Sequence, residues 1–188
     1  MRETEVQIGN SGLRATLLAM PHGWDNFFIM AGPAAATLIG LLFVAVSVAS
    51  GFSQSRIVEG TRGFFTPTLV QFGTVLFQSL AVLAPWPSAW PIAMILGLGG
   101  LAGLAYQIRV IVMRHRLALA LLDWWDWLPY AGVPALGYAS LIVGATGLLA
   151  GKSFAPYAIA GAITLLLLAG IYGAWDITLW IVKHREKT

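Results

Sequence analysis

The residues able to do chemistry in this chain are the few that interrupt long apolar runs. Asp176 stands in Tyr172-Gly173-Ala174-Trp175-Asp176-Ile177-Thr178, and Arg109 stands four residues before Met113 in an equally apolar run. An ionisable group inside a membrane span costs several kcal/mol or finds a partner, so each is a functional candidate. Asp176 precedes Lys183 by seven residues, about 10 Å of helix. The two groups are expected at similar depth, which predicts an Arg109–Asp176 ion pair. Such a pair acts as a static clamp between helices or as a gating or proton-coupled switch. The other reading is that both groups snorkel to water.

A second polar set is neutral. Gln71, Thr74 and Gln78 fall at i, i+3 and i+7, which puts them on one helical face. Such a face bonds to neighbouring helices, or it lines a watery path around an oligomer axis.

Other chemistries find less footing. The histidines are His22, His115 and His184, all at the ends of apolar runs. Haem ligation by two histidines needs them within facing helices. No third ligand stands at metal spacing beside them, and no cofactor or metal is expected. The chain has no cysteine, which removes disulfides, thiolate metal sites and a cysteine nucleophile. Gly97-Leu98-Gly99-Gly100 is followed by no lysine and is not a phosphate loop. Ser47 and Ser50 have no activating histidine or lysine in the apolar runs. Asp123 and Asp126 read as turn or interfacial residues. The expectation is a protein without enzymatic activity.

These residues need elements to hold them, and composition says which. Of 188 residues, 58% are apolar and 10% charged. Soluble domains carry about 25% charged residues, so too little charge is present to coat a water-facing surface. Five stretches reach the roughly 20 apolar residues that a span needs. They are about 27–49, 66–84, 91–113, 128–150 and 156–182. Lipid offers no partner to an open strand edge, so the spans must be helices. The predicted fold is an all-α bundle in one transmembrane domain, 1–188.

Lysine and arginine set the orientation. Arg2, Arg14 and Lys152 fall on one side of the five spans. Arg56, Arg62, Arg109, Arg114, Arg116, Lys183, Arg185 and Lys187 fall on the other. The positive-inside rule makes the second side cytoplasmic. The N-terminus is then outside and the C-terminus inside, in the inner (plasma) membrane. The start, Met1 to Asn10, lacks the short apolar region and small-residue site of a cleaved signal. The first helix is therefore expected to stay. The net charge of +3 serves topology, and nucleic acid is not an expected partner.

Tryptophan favours the membrane–water interface, where an apolar ring meets a donor that needs a partner. Trp86 and Trp90 fall on the outer side, and Trp124, Trp125 and Trp127 on the inner. They form an anchoring belt or, alternatively, a cage for a cation. Ser11 to Trp24 and Arg114 to Trp127 resemble interfacial amphipathic helices. The second also reads as a plain extension of the third span.

Small residues let helices approach in lipid. Gly32, Ala36 and Gly40 recur every four residues in the first span, and Gly99 and Gly103 do so in the third. Ser140 and Gly144 in the fourth and Ala169 and Gly173 in the fifth add two more small faces. They pack the bundle internally or join it to a second copy or another membrane protein.

The first span also carries a resemblance. Trp24-Asp25-Asn26-Phe27-Phe28, then Ala34-Ala35-Ala36, then Gly40-Leu41-Leu42-Phe43-Val44-Ala45-Val46-Ser47 is similar to a family of small bacterial multi-pass proteins described as modulators of the FtsH protease. The resemblance implies a regulatory or accessory membrane protein and carries over no catalytic residue. Two functions follow as expectations. One is an accessory protein acting by lateral contact with another membrane protein. The other is a homo-oligomeric channel for ions or small solutes, its pore lined by Gln71, Thr74 and Gln78.

Overall fold

The computed structural model describes residues 23–50, 57–117 and 128–185, with the side chains of 23–48, 66–112 and 130–179. Every described element is helical: α1 (Asp25–Ser50), α2 (Ile57–Leu83), α3 (Ala89–Leu117), a π-turn (Leu128–Gly132), α4 (Val133–Leu149) and α5 (Ala155–Arg185). Five helices are long and apolar enough to cross a membrane, over Asp25–Val48, Thr66–Leu83, Ala89–Val112, Tyr130–Leu149 and Ala155–Leu179. The chain thus has the make-up of a multi-pass membrane protein. Large apolar side chains point outward all round the bundle, among them Leu41, Phe77, Leu101, Leu168 and Trp175. In water such a surface would drive association; in lipid it is the favoured coat.

Two helices overrun their apolar stretches. α2 begins at Ile57 rather than near Thr66, and α3 continues to Leu117 rather than stopping near Met113. Hydropathy marks where lipid ends, while a helix continues for as long as its backbone bonds do. The extension of α3 takes in the first part of the segment expected as an interfacial helix, Arg114 to Leu117. The rest of it, with Trp124, Trp125 and Trp127, lies outside the described residues, as does Ser11–His22.

α4 and α5 form the most extensive pair, and α3 covers the opposite side of α4. α2 packs on α5 and more lightly on α3, and α1 leans on α2 and α5. The helices close around a common core, to which α1 contributes through its face on α2. That core contains Phe28, Phe72, Leu96, Tyr138, Leu141, Ile159, Ile163 and Leu166.

The α4–α5 turn is short because its backbone is capped twice. Gly151 N donates to Leu148 O (3.1 Å) and Lys152 N to Gly147 O (2.9 Å). This pattern needs a left-handed residue after the helix, and Gly151 supplies it at φ 61°. A β-carbon would strain that position.

Most threonines bond within their own helix. Thr37, Thr74, Thr164 and Thr178 each donate to the carbonyl four residues back, at 2.8–3.0 Å. Those hydroxyl hydrogens are spent locally.

Candidate functional site

The polar face of α2 turns into its own bundle. Gln71 is 5% exposed and Gln78 4% exposed; Thr74, between them, is half-buried. Gln78 sits against Gly99 of α3, where any side chain would collide with its amide. Its Nε2 lies 3.5 Å from Ile95 O, a long bond. One turn further along α3, Gly103 opens the space that the Tyr138 ring fills from α4. The Tyr138 hydroxyl is close to Thr74 and Tyr106. Gln71 continues the same α2 face beyond Thr74. The result is a polar seam shared by α2, α3 and α4, and Gly99 and Gly103 make the room for it.

The basic end of the seam is closed by a glutamine that sequence reading passed over. Gln107 is 2% exposed and donates from Nε2 to Tyr130 O at 2.8 Å. Pro134 explains the need. It lies four residues after Tyr130, where an α-helix would take its donor, and proline has no N–H. The Gln107 amide serves the carbonyl instead. The signal was available in Tyr130-Ala131-Gly132-Val133-Pro134, which leaves a carbonyl without its helical donor inside a span. Nearby, the Tyr130 and Tyr172 rings meet edge-on at 5.3 Å.

Among the described residues, four buried side-chain oxygens lack a well-formed hydrogen bond: Gln71 Oε1, Gln78 Oε1, Ser79 Oγ and the Tyr138 hydroxyl, the last with Thr74 beside it. Three belong to the seam. Ser79 faces α1, where its Cβ lies 3.2 Å from the place a β-carbon on Gly32 would take.

The expected Arg109–Asp176 pair is not brought together. α3 packs on α4 and α2 and shares no major face with α5. Arg109 is exposed on α3, and Asp176 is half-buried on α5. Similar depth is not enough, because the helices that carry the two groups share no major packing face.

The small faces divide. Gly99 and Gly103 pack as expected, and Gly170 and Gly173 of α5 admit Phe72 and Thr68 of α2. On α1 only Gly32 is buried; Ala36 and Gly40 are exposed, and nothing lies within 4 Å of a β-carbon at Gly40. The stripe α1 buries runs through Phe28, Ala31, Ala35 and Leu42 instead. That phase puts both a large ring and small spacers against α2 and α5, which a stripe of small residues alone would not fill.

Trp86 and Trp90 lie at the same end as Trp24. Trp86 is half-buried and donates from Nε1 to Ala81 O at 2.7 Å, while Trp90 is exposed. Trp24 meets Tyr157 of α5 edge-on at 5.0 Å. An aromatic collar at one end of the bundle fits an interfacial belt. Among the described residues no three His, Asp or Glu side chains gather as a metal site.

No protein-family model matches the chain, nor does any curated protein or solved structure.

Proposed function

We propose that this is a non-enzymatic inner-membrane protein, accessory or regulatory, that works through lateral contact with another membrane protein. The orientation that goes with this reading is N-terminus outside and C-terminus cytoplasmic, from the distribution of lysine and arginine.

One observation carries it. α1 displays an unfilled small-residue face, with Ala36 and Gly40 exposed and open space beside Gly40. The comparable glycines Gly99, Gly103, Gly144, Gly170 and Gly173 are consumed by packing within the bundle. Helices in lipid associate where small residues permit close approach, so this face suits a helix from outside.

The homo-oligomeric channel draws less support. It requires the polar face of α2 to meet an axis between subunits, and Gln71 and Gln78 are buried inside one protomer.

The test is crosslinking in native membranes from a photoreactive residue at Ala36, beside the mass of the purified protein in detergent. The expected result is a monomer in detergent and a single crosslinked membrane partner, lost in Gly40→Leu with an unchanged melting temperature. A ring-sized oligomer that conducts ions in liposomes would overturn the proposal and restore the channel.

A further inference from the structure

The seam between α2, α3 and α4 has hydrogen-bonding capacity that the protein does not use. The Gln71 and Gln78 carbonyl oxygens are buried and unpartnered, and the Tyr138 hydroxyl is buried with the Thr74 hydroxyl beside it, in residues 5%, 4% and 0% exposed. Lipid tails cannot serve them, and an unserved polar group in hydrocarbon costs several kcal/mol.

The chemistry of these atoms selects what can. Both amide oxygens only accept, so the occupant must donate. The Tyr138 hydroxyl both donates and accepts, and with Thr74 beside it to take its hydrogen it keeps lone pairs for an occupant that donates. Thr74 has given its hydrogen to Val70 O at 2.8 Å and presents its lone pairs beside Tyr138. No carboxylate or ammonium stands among these residues, so a charged occupant would be left uncompensated in a low dielectric. A small neutral molecule that donates hydrogen bonds satisfies every condition. A water needs two to four polar partners and little volume.

We infer that the seam is a hydrated site, holding ordered water on Gln71, Gln78 and Tyr138 inside the protomer. Gly99 and Gly103 have a role in it, since side chains there would push Gln78 and Tyr138 off the seam. The inference is independent of any partner on α1.

Hydroxyl-radical labelling of the full chain in nanodiscs, by an X-ray pulse in oxygen-18 water, tests it. Radicals form from water at the site, so a buried ring is labelled only where water touches it. Phe28 and Phe72 are equally buried at 0% and face apolar or small neighbours, which makes them internal dry controls. Tyr138 should take up label about ten-fold faster than either. Labelling of Tyr138 no faster than Phe72 would overturn the inference. In the folded Gln71→Leu/Gln78→Leu variant, Tyr138 labelling should fall toward the control rate. A rate unchanged from wild type would also overturn it, since the label would then come from local opening.

Discussion

α4 holds a neighbour on each side, and the two joints are made of different chemistry. Toward α5 it offers Gly137, Gly144 and Gly147, and against them lie Leu166, Ile159, Ala155 and the carbonyls of Ala155 and Ala162. Hydrocarbon and backbone fill that joint. Toward α3 and α2 the same helix sends Tyr138 into the seam of Gln71, Thr74 and Gln78. Glycine serves both joints for opposite reasons. At the α4–α5 joint it lets a backbone come close; at the seam Gly99 and Gly103 let a functional side chain in. In lipid there is no hydrophobic drive between helices, so close contact and hydrogen bonds are what remain to hold them. The α4–α5 joint rests on close contact, and the α3–α4 joint adds the polar seam to a close approach at Gly100. The first is stiff because backbone cannot yield; in the second, α3 also meets α4 backbone at Gly100, and the place that can adjust is Gly99, where the neighbour is the end of the Gln78 side chain.

The largest expected effect comes from adding one methyl group at each joint. At Gly144 a β-carbon meets Ile159 N at 3.2 Å and Ala155 O at 3.3 Å, besides the Ile159 side chain. Gly144→Ala should cost about 3 kcal/mol, the upper range for overpacking. At Gly99 the obstacle is the Gln78 amide, which can swing away and give up its long bond to Ile95 O. Gly99→Ala should cost only about 1 kcal/mol. Thermal melts in one detergent measure both, and equal losses would break the comparison.

Deleting packing in the stiff joint comes next. Leu166 is fully buried and fills the space opposite Gly137. Lipid supplies no transfer term against exposure, so Leu166→Ala loses dispersion contacts and leaves a cavity, about 2 kcal/mol. A change well below that would mean the joint collapses to fill the space, and it would not then be stiff.

In the adjustable joint the corresponding loss is a hydrogen bond. Gln107→Leu keeps the bulk and removes the donor to Tyr130 O. It should cost about 1–2 kcal/mol, because a buried carbonyl loses its side-chain donor. Hydrogen exchange should report it first in the π-turn Leu128–Gly132 and only later in α5. Opening of α4 and α5 together would mean the two joints are not separable.

The elements were readable from hydropathy because lipid imposes a length and an apolar composition on every span. Phase was not readable. Gln71, Thr74 and Gln78 share a face by spacing alone, but which helix that face meets depends on packing partners far along the chain. The same gap undid the Arg109–Asp176 pair, where depth was inferred and direction was not. On α1 the small residues at four-residue spacing drew attention to Ala36 and Gly40, while the buried stripe runs through Ala31 and Ala35. A stripe one residue away is equally periodic, and only the bulk of Phe28 and Leu42 chooses between them. Gln107 escaped notice as a single polar residue in a span; its cause, Pro134, sits on another helix.

The smallest expected effect isolates the turn that fixes the stiff joint. Gly151 lies at φ 61° with nothing within 4 Å of a β-carbon, so Gly151→Ala changes backbone strain and no contact. The left-handed conformation costs a residue with a β-carbon about 1 kcal/mol, and that is the expected loss in the detergent melt. Gly151→Asn should recover part of it, since asparagine tolerates this region better than alanine. The two variants separate strain from packing, because neither side chain touches the joint. If alanine and asparagine are both harmless, the caps from Gly151 N and Lys152 N are dispensable, and the contacts of Gly137, Gly144 and Gly147 alone set the α4–α5 angle. If both are far worse than 1 kcal/mol, the turn sets that angle, and the stiffness assigned to the joint belongs to its five-residue connection.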